Sequence, residues 1–230
     1  MTTTLITGSN KGLGYEAARQ LIAAGHTVYA GARDPELGRP AAGRLGARFV
    51  QLDVTDDASV AAAAKVIEAD GGLDVLVNNA GVEGRTPDNV VVGAAHMQAL
   101  FDTNVFGVVR MLHAFLPLLQ RSASPVVVNL SSGLSKTADL ANPDGPVHFY
   151  PGVAYPASKT AVNTITVQYA KAFPAVRINA VDPGYTATDL NGRTGTQTVE
   201  EGAGIIVRMA QIGPDGPTGG HFTASGPVAW

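Results

Sequence analysis

Short apolar runs alternate along the whole chain with longer stretches of helical periodicity, and this alternation limits the folds available. Strands that alternate with helices form βαβ units, so the pattern predicts an α/β fold with a parallel sheet covered on both faces. All strands then end at one edge of the sheet, where open α/β folds bind ligands. Seven runs are predicted strands: 4–7, 27–31, 48–53, 74–79, 126–130, 177–182 and 220–223. Predicted helices lie near 12–24, 56–69, 94–119, 155–172 and 198–211.

The composition excludes several classes of protein. Apolar residues make up 45% of the 230 residues and charged residues 15%, a globular balance that we interpret as a single domain over 1–230. A net charge of −3 without a long basic run argues against nucleic acid or an anionic membrane as partner. The chain shows neither a long uninterrupted apolar stretch nor a signal-peptide pattern, which predicts a cytoplasmic location and no membrane span.

Sulfur and metal chemistry are also disfavoured. The chain has no cysteine, which excludes disulfides, thiolate nucleophiles and cysteine-ligated metals. The five histidines are scattered and form no HExxH pattern, so we predict no metal site.

A glycine-rich turn follows the first predicted strand. Residues 7–14 read TGSNKGLG, with glycines at Gly8, Gly12 and Gly14, and a helical pattern begins at once. Glycines let backbone N–H groups approach a phosphate, and the helix N-terminus adds a partial positive charge. The spacing is GxxxGxG, not the usual GxGxxG, and no GK[ST] of a P-loop follows. The turn therefore predicts a nucleotide site, although an ordinary turn that binds nothing remains the alternative.

The end of the second predicted strand bears on which nucleotide is held. Sites that prefer the unphosphorylated ribose place an acid there, but this chain has Ala32 followed by Arg33. Asp34 comes late and is either a shifted acid or unrelated to binding. Arg33 and Lys11 could pair a 2′-phosphate, unless both are solvated surface cations. We therefore predict NADP(H) as the preferred cofactor, with NAD(H) second.

Six segments of the chain resemble the motifs of one family, and they occur in the same order as in that family. They read TGSNKGLG at 7–14, NNAG at 78–81, TNVFG at 103–107, VNLSS at 128–132, YPASK at 155–159 and DPGYTATDL at 182–190. Together they resemble the compact, single-domain short-chain dehydrogenases/reductases, most of all the NADPH-dependent carbonyl reductases. The resemblance implies a Rossmann-type, doubly wound, seven-stranded parallel sheet. It also implies hydride transfer between NADPH and a carbonyl or alcohol.

The predicted chemistry centres on Tyr155 and Lys159, which lie one helical turn apart. A tyrosine near pKa 10 is a poor acid at neutral pH. An ammonium about 5 Å away, at an effective dielectric of about 20, favours phenolate by roughly 3 kcal/mol, about two pKa units. We interpret Tyr155 as general acid/base and Lys159 as the group that lowers its pKa. This spacing also arises by chance in helices where the ring packs and the lysine is solvated.

Two more residues complete the catalytic set that the resemblance implies. Ser132 would hydrogen-bond the carbonyl oxygen, while its neighbour Ser131 should face the other way because successive strand residues alternate. Asn104 would join a proton relay through water to Lys159. A buried asparagine that only caps a backbone group is the alternative for Asn104.

The resemblance also implies a set of cofactor contacts. Asp53 with Val54 resembles the pair that touches adenine, and Thr186 replaces a common aliphatic residue, so its carboxamide contact would use backbone atoms. The predicted cofactor-binding residues are Gly8, Asn10, Lys11, Gly12, Leu13, Gly14, Arg33, Asp53, Val54, Asn78, Ala80, Gly81, Tyr155, Lys159, Pro183, Gly184, Thr186 and Thr188.

Three functions stay open at this point. The first is an NADPH-dependent carbonyl reductase acting on ketones, aldehydes or quinones. The others are an NAD-dependent alcohol dehydrogenase and a non-catalytic nucleotide sensor on the same fold. The long interval between Ser132 and Tyr155 suggests that 136–150 form a flap beside the substrate, or else a solvated loop. Oligomeric state and the role of Trp230 are left open.

Overall fold

A computed structural model describes residues 2–84, 93–145 and 147–230. Eight strands form one sheet in the order β3-β2-β1-β4-β5-β6-β7-β8. The strands are β1 Thr3–Thr7, β2 Thr27–Ala32, β3 Arg48–Gln51, β4 Val75–Asn78, β5 Val126–Leu130, β6 Arg177–Val181, β7 His221–Thr223 and β8 Gly226–Val228. Strands β1 to β7 pair in parallel, which confirms the predicted doubly wound sheet.

The predicted strand number was wrong by one. Strand β8 pairs antiparallel with β7 across a tight turn and forms the edge of the sheet. It is only three residues long and contains Pro227, which lacks the N–H of an interior strand residue and suits an edge. So short a segment carries too little pattern to be recognised.

Helices cover both faces of the sheet. They are α1 Gly12–Ala23, α2 Pro35–Leu45, α3 Asp57–Ala69, α4 Ala94–Phe101, α5 Gly107–Leu119, α6 Thr137–Ala141, α7 Ala154–Ala172 and α8 Val199–Ala210. A π-helical turn, Asp102–Phe106, joins α4 to α5, and single 3₁₀ turns occupy Gly133–Ser135 and Asp189–Asn191. The sequence did not predict α2, because its two prolines and two glycines are typical of a loop.

The core lies in two layers on either side of the sheet. Leu76 and Val127 pack with Phe115 of α5 on one face. Val77 and Val128 pack with Ile206 of α8 on the other. Neighbouring residues of one strand thus enter opposite layers, which explains why the central strands are continuous apolar runs.

One helical segment, Ala94–Leu119, is long and apolar enough to cross a membrane by length and composition. Half of its most apolar window is buried inside the protein, and Met111, Leu112 and Phe115 belong to the core. A helix that covers a buried parallel sheet has the same composition. Length and hydropathy of this segment therefore do not by themselves indicate a membrane span.

The strand order reverses between β1 and β4, and this reversal positions the site. The chain runs outward from β1 to β3 and then returns to add β4 on the other side of β1. The loops after β1 and β4 consequently diverge and leave a crevice at the carboxyl end of the sheet.

Candidate active site

A cavity of about 440 Å³ lies in this crevice. Fourteen of the predicted cofactor-binding residues line it: Gly8, Asn10, Lys11, Gly12, Leu13, Arg33, Asp53, Val54, Ala80, Gly81, Tyr155, Lys159, Pro183 and Thr188. They come from the loops and helices that follow six different strands, β1 to β6, and only the fold brings them together.

The glycine-rich turn forms one wall of the cavity. Gly8 and Gly12 have φ angles of 65° and 60°, in the left-handed region that favours glycine. Helix α1 begins at Gly12 after Lys11, which makes no side-chain cap, whereas Asp34, Asp56 and Thr198 cap α2, α3 and α8. The first-turn amides of α1 therefore lie at the cavity without a capping side chain, as a phosphate site requires.

Four predicted cofactor residues are not among those that line the cavity. Asn78 is buried in the sheet and donates from Nδ2 to Asn129 Oδ1 at 2.8 Å. Helix α1 packs closely against the glycine-rich turn at Gly14, since a Cβ there would lie 2.8 Å from the Gly8 carbonyl oxygen. Gly184 turns with φ 75° against Gln197. We therefore assign Asn78 and these two glycines to packing.

Thr186, the fourth, has its polar groups engaged within its own loop. Its amide donates to Gly184 O at 2.9 Å, and its carbonyl accepts from Asn191 Nδ2 at 2.8 Å. The predicted backbone contact with a carboxamide would have to displace one of these bonds.

Asn79 is a site residue that the sequence analysis missed. It lines the cavity, and its Nδ2 donates to the carbonyl oxygens of Thr7 at 2.7 Å and Gly8 at 3.1 Å. Asn79 thereby ties the loop after β4 to the glycine-rich turn. The NNAG segment contains two adjacent asparagines, and only the end of β4 at Asn78 decides which one leaves the sheet.

The three residues at the end of β2 have different environments in the structure. Ala32 is buried, whereas Arg33 is exposed and lines the cavity. Asp34 is the N-cap of α2, and its Oδ1 accepts from Glu36 N at 2.8 Å. Asp34 is thus a helix cap, which accounts for its displaced position. Lys11 forms an exposed ion pair with Asp189 at 3.1 Å, so Arg33 is the better placed of the two predicted phosphate ligands.

Tyr155 and Lys159 lie in the first turns of α7 and face the cavity. Lys159 Nζ is 5.5 Å from the centroid of the Tyr155 ring. The ammonium is buried and donates to the Leu130 carbonyl oxygen at the end of β5, at 2.7 Å. That bond fixes α7 against the sheet and holds the two side chains side by side.

The net electrostatics differ from the sequence-based expectation. Burial raises the pKa of Tyr155 above its usual range, the Glu83 carboxylate adds to the rise, and a hydrogen bond with Ser132 opposes it. Burial also lowers the pKa of Lys159 to about 8, against the attraction of Asp182. The predicted net lowering of the Tyr155 pKa was therefore wrong for the protein alone, because burial, together with the Glu83 and Asp182 carboxylates, outweighs the lowering effect of Ser132.

Ser132, not Ser131, lies beside the tyrosine. The Ser132 hydroxyl lies near enough to Tyr155 to lower the pKa of that tyrosine, and it accepts from Leu134 N at 3.2 Å. Ser131 Oγ points to α7, where it donates to Asn163 Oδ1 at 2.6 Å. The alternation at the end of a strand thus orients the two hydroxyls to different partners.

Asn104 is buried in the π-helical turn between α4 and α5. Its Oδ1 accepts from Val82 N and its Nδ2 donates to Val82 O, both at 2.9 Å. Nδ2 also donates to Ser158 Oγ at 3.1 Å. These are contacts of an asparagine that caps backbone groups, and they join the β4 loop to α7. π-Helical turns of this kind are frequent at functional sites.

The suggested flap, 136–150, contains Pro146, which lies outside the described residues. Its first part forms α6, and near its end Tyr150 donates from its hydroxyl to Glu83 Oε1 at 3.1 Å. This bond connects the segment to the loop after β4, whose Glu83 also acts on Tyr155. The segment is thus tied to the same loop that borders the tyrosine.

Comparisons with known proteins agree with this geometry. The family model for short chain dehydrogenases matches residues 2–198. The chain is a short-chain dehydrogenase/reductase. A (+)-neomenthol dehydrogenase of Capsicum annuum is 30% identical, over 95% of this chain and 94% of that protein. A (−)-isopiperitenone reductase of Mentha piperita is 32% identical, over 95% of both chains. Membership in this family makes the protein an oxidoreductase that interconverts carbonyls and alcohols.

Solved structures of the family superpose along the whole chain. Salutaridine reductase from Papaver somniferum matches with a TM-score of 0.85 and 28% identity, over 97% of this chain and all of that one. The alignment with the Capsicum annuum relative spans 298 positions, whereas this short-chain dehydrogenase/reductase has 230 residues. That relative therefore contains segments that this chain lacks.

Proposed function

We propose that this short-chain dehydrogenase/reductase uses NADPH to reduce the carbonyl group of a small molecule, with Tyr155 donating the proton. The observation that carries the proposal is the cluster of Ser132, Tyr155 and Lys159. Tyr155 and Lys159 line the cavity with Lys159 Nζ 5.5 Å from the tyrosine ring, and Ser132 lies near enough to Tyr155 to lower its pKa. A non-catalytic nucleotide sensor would not need these three groups together.

The cavity suits a dinucleotide along its length. Gly12 and Leu13 would hold the phosphates at the N-terminus of α1, Asp53 and Val54 the adenine, and Tyr155 and Lys159 the nicotinamide ribose. When bound, the nicotinamide supplies the hydride to the substrate carbon. The wall next to Tyr155 would then hold the substrate.

The protein's own groups handle the oxygen of the substrate. Tyr155 gives its proton to that oxygen, which becomes the alcohol, and Ser132 stabilises the developing negative charge with a hydrogen bond. Lys159, when charged, stabilises the phenolate that remains. Asn104 holds Val82 and Ser158 in place, and a water relay beginning at this turn would return a proton to Tyr155 by way of Lys159.

The walls favour a substrate with an apolar body. Val82 and Leu190 line the cavity and are 41% exposed, and Tyr185 in the turn after β6 is 51% exposed. A ketone, aldehyde or quinone with an apolar ring or chain would cover these side chains.

Arg33→Ala tests the preference for NADPH. Because Arg33 lines the cavity and Asp34 caps α2, we expect NADPH affinity to fall about tenfold, a loss of roughly 1.4 kcal/mol of charge-assisted binding, with NADH affinity unchanged. Isothermal titration of both cofactors measures this. Arg44→Ala, which removes an exposed arginine at the end of α2, is the matched control. Equal affinities of the parent enzyme for NADPH and NADH would rule out the phosphate contact.

Glu83→Gln tests the electrostatic environment of Tyr155. The Glu83 carboxylate raises the pKa of Tyr155, so its removal should lower that pKa. In alcohol oxidation the rate rises as Tyr155 loses its proton, and the rise should occur at lower pH in the variant. The measurement is kcat/KM for oxidation from pH 6 to 10 at saturating NADP⁺, whose positive nicotinamide would bring the Tyr155 pKa down toward this range. Tyr150→Phe, which removes the hydroxyl that bonds to Glu83 but keeps the carboxylate, should not shift the profile downward. A profile unmoved by Glu83→Gln would exclude Tyr155 as the titrating group or Glu83 as its neighbour.

A further inference from the structure

A buried asparagine of α7 holds the segment that carries Ser132. Asn163 Oδ1 accepts from Ser131 Oγ at 2.6 Å, and Asn163 Nδ2 donates to Ser135 Oγ at 2.8 Å. All three side chains are buried. Asn163 therefore hydrogen-bonds to residues on both sides of Ser132, and it does not line the cavity.

Further bonds tie the same segment to α7. Ser135 Oγ donates to the Ser132 carbonyl oxygen at 2.6 Å, which closes a ring of bonds from Asn163 to the Ser132 backbone. Thr160 Oγ1 donates to the Ser135 carbonyl oxygen at 2.8 Å. Lys159 adds a further bond from α7, to the Leu130 carbonyl oxygen just before this turn.

The spacing of residues along α7 links these bonds to the residues proposed to carry out the reaction. Tyr155, Lys159 and Asn163 are spaced by four residues, so they lie along one side of the helix in successive turns. The helix that carries the tyrosine thus also sets the position of the nearby serine, Ser132. A small rotation of the Ser132 backbone would move its hydroxyl away from the Tyr155 hydroxyl.

We propose that Asn163 is a positioning residue, which acts through Ser132 to hold that hydroxyl against Tyr155. The inference rests on the proposed function, because it assigns Asn163 a part in the same proton transfer. It gives the buried amide a role beyond stabilising the fold. Both polar atoms of the amide are needed, one for each side of the serine.

A double-mutant cycle separates positioning from stability. Asn163→Ala should lower kcat about tenfold or more, with substrate KM and NADPH affinity changed less than about twofold. Ser132→Ala should lower kcat further, and the double variant should be no slower than Ser132→Ala alone. Asn163 then has nothing left to position, so its effect disappears in that background.

The matched control is Asn179→Ala on β6. Asn179 is also buried with both amide atoms bonded, to Pro217 O at 2.7 Å and from Gly220 N at 3.1 Å, but it does not contact the Ser131–Ser135 segment. It should lose stability without losing kcat. Ser135→Ala removes the two bonds of the ring that its hydroxyl makes but leaves Asn163 bonded to Ser131, so it should give a smaller fall in kcat, which keeps the test usable if Asn163→Ala does not fold.

The results distinguish a failure of this inference from a failure of the proposed function. If Ser132→Ala slows the enzyme while Asn163→Ala and Ser135→Ala do not, or if the effects of Asn163→Ala and Ser132→Ala multiply in the double variant, Asn163 does not act through Ser132. If Ser132→Ala retains the kcat of the parent enzyme, the proposed proton-transfer site itself is wrong.

Discussion

Replacing Tyr155 by Phe is expected to lower the rate of carbonyl reduction by about 10³-fold, the range typical of a lost general acid. The variant keeps the ring at the cavity edge and removes only the hydroxyl that would give the proton. NADPH affinity should therefore change by less than about twofold. Single-turnover loss of NADPH absorbance with a panel of ketones, together with NADPH titration, measures both effects.

Tyr169→Phe is the matched control for this experiment. Tyr169 also lies on α7, where its ring stacks on Phe173 at 5.9 Å, away from the cavity. Its loss of a hydroxyl should leave the rate unchanged. A Tyr155→Phe enzyme that reduces an accepted ketone at the parent rate would remove Tyr155 from the mechanism.

Replacing Lys159 by Met is expected to have the second largest effect, on activity and on stability in different ways. The rate should fall about 10²-fold or more, because the phenolate left by proton transfer loses its neighbouring cation. Stability near neutral pH should change little. Relief from burying a charge is offset by loss of the bond from Lys159 to the Leu130 carbonyl oxygen.

The pKa shift of Lys159 determines the direction in which stability changes with pH. Burial lowers the pKa of Lys159 from 10.5 to about 8, so between these values the unfolded chain binds more protons than the folded protein. Stability of the parent enzyme should consequently rise with pH in this window, by about 2 kcal/mol between pH 8 and 10 from this group. Lys159→Met lacks this contribution.

Urea unfolding of the parent enzyme and of Lys159→Met at pH 7, 8, 9 and 10 measures the difference in free energy of unfolding. The parent should gain on the variant steadily above pH 8. A constant difference across this range would mean that the lysine is not buried as a strained cation. Lys171→Met, at the exposed end of α7, should show no such trend.

Much of the fold follows from local pattern. Every predicted strand is present, because a strand buried on both faces must be a continuous apolar run, as at Val126–Leu130. Helix α2 and strand β8 escaped prediction for opposite reasons. The prolines and glycines of α2 are typical of a loop. Strand β8 is only three residues long, and it forms by pairing with β7.

The site shows where local pattern reaches its limit. Motif spacing placed Tyr155 and Lys159 on one turn of α7, but the direction of the Tyr155 pKa depends on burial and on Glu83, which is distant in sequence. Likewise, only the register of β4 shows that Asn79, not Asn78, reaches the cavity. Asp34 looked like a displaced ribose ligand until the first turn of α2 gave it a backbone partner.

Some expectations stay predictions. The cytoplasmic location, the single-domain organisation over 1–230 and the roles assigned to Ser132, Tyr155, Lys159 and Asn104 need experiments. In the structure Trp230 stacks on His221, with ring centroids 5.5 Å apart, so the tail is anchored to the end of the sheet.

The most direct test of the mechanism is the pH dependence of single-turnover reduction, followed by stopped flow with one accepted ketone. If Tyr155 delivers the proton, the rate of the parent enzyme should fall at high pH as the tyrosine ionises. The small residual rate of Tyr155→Phe should show no such fall. The same fall in both enzymes, with the same midpoint, would show that another group protonates the substrate and would contradict the central claim.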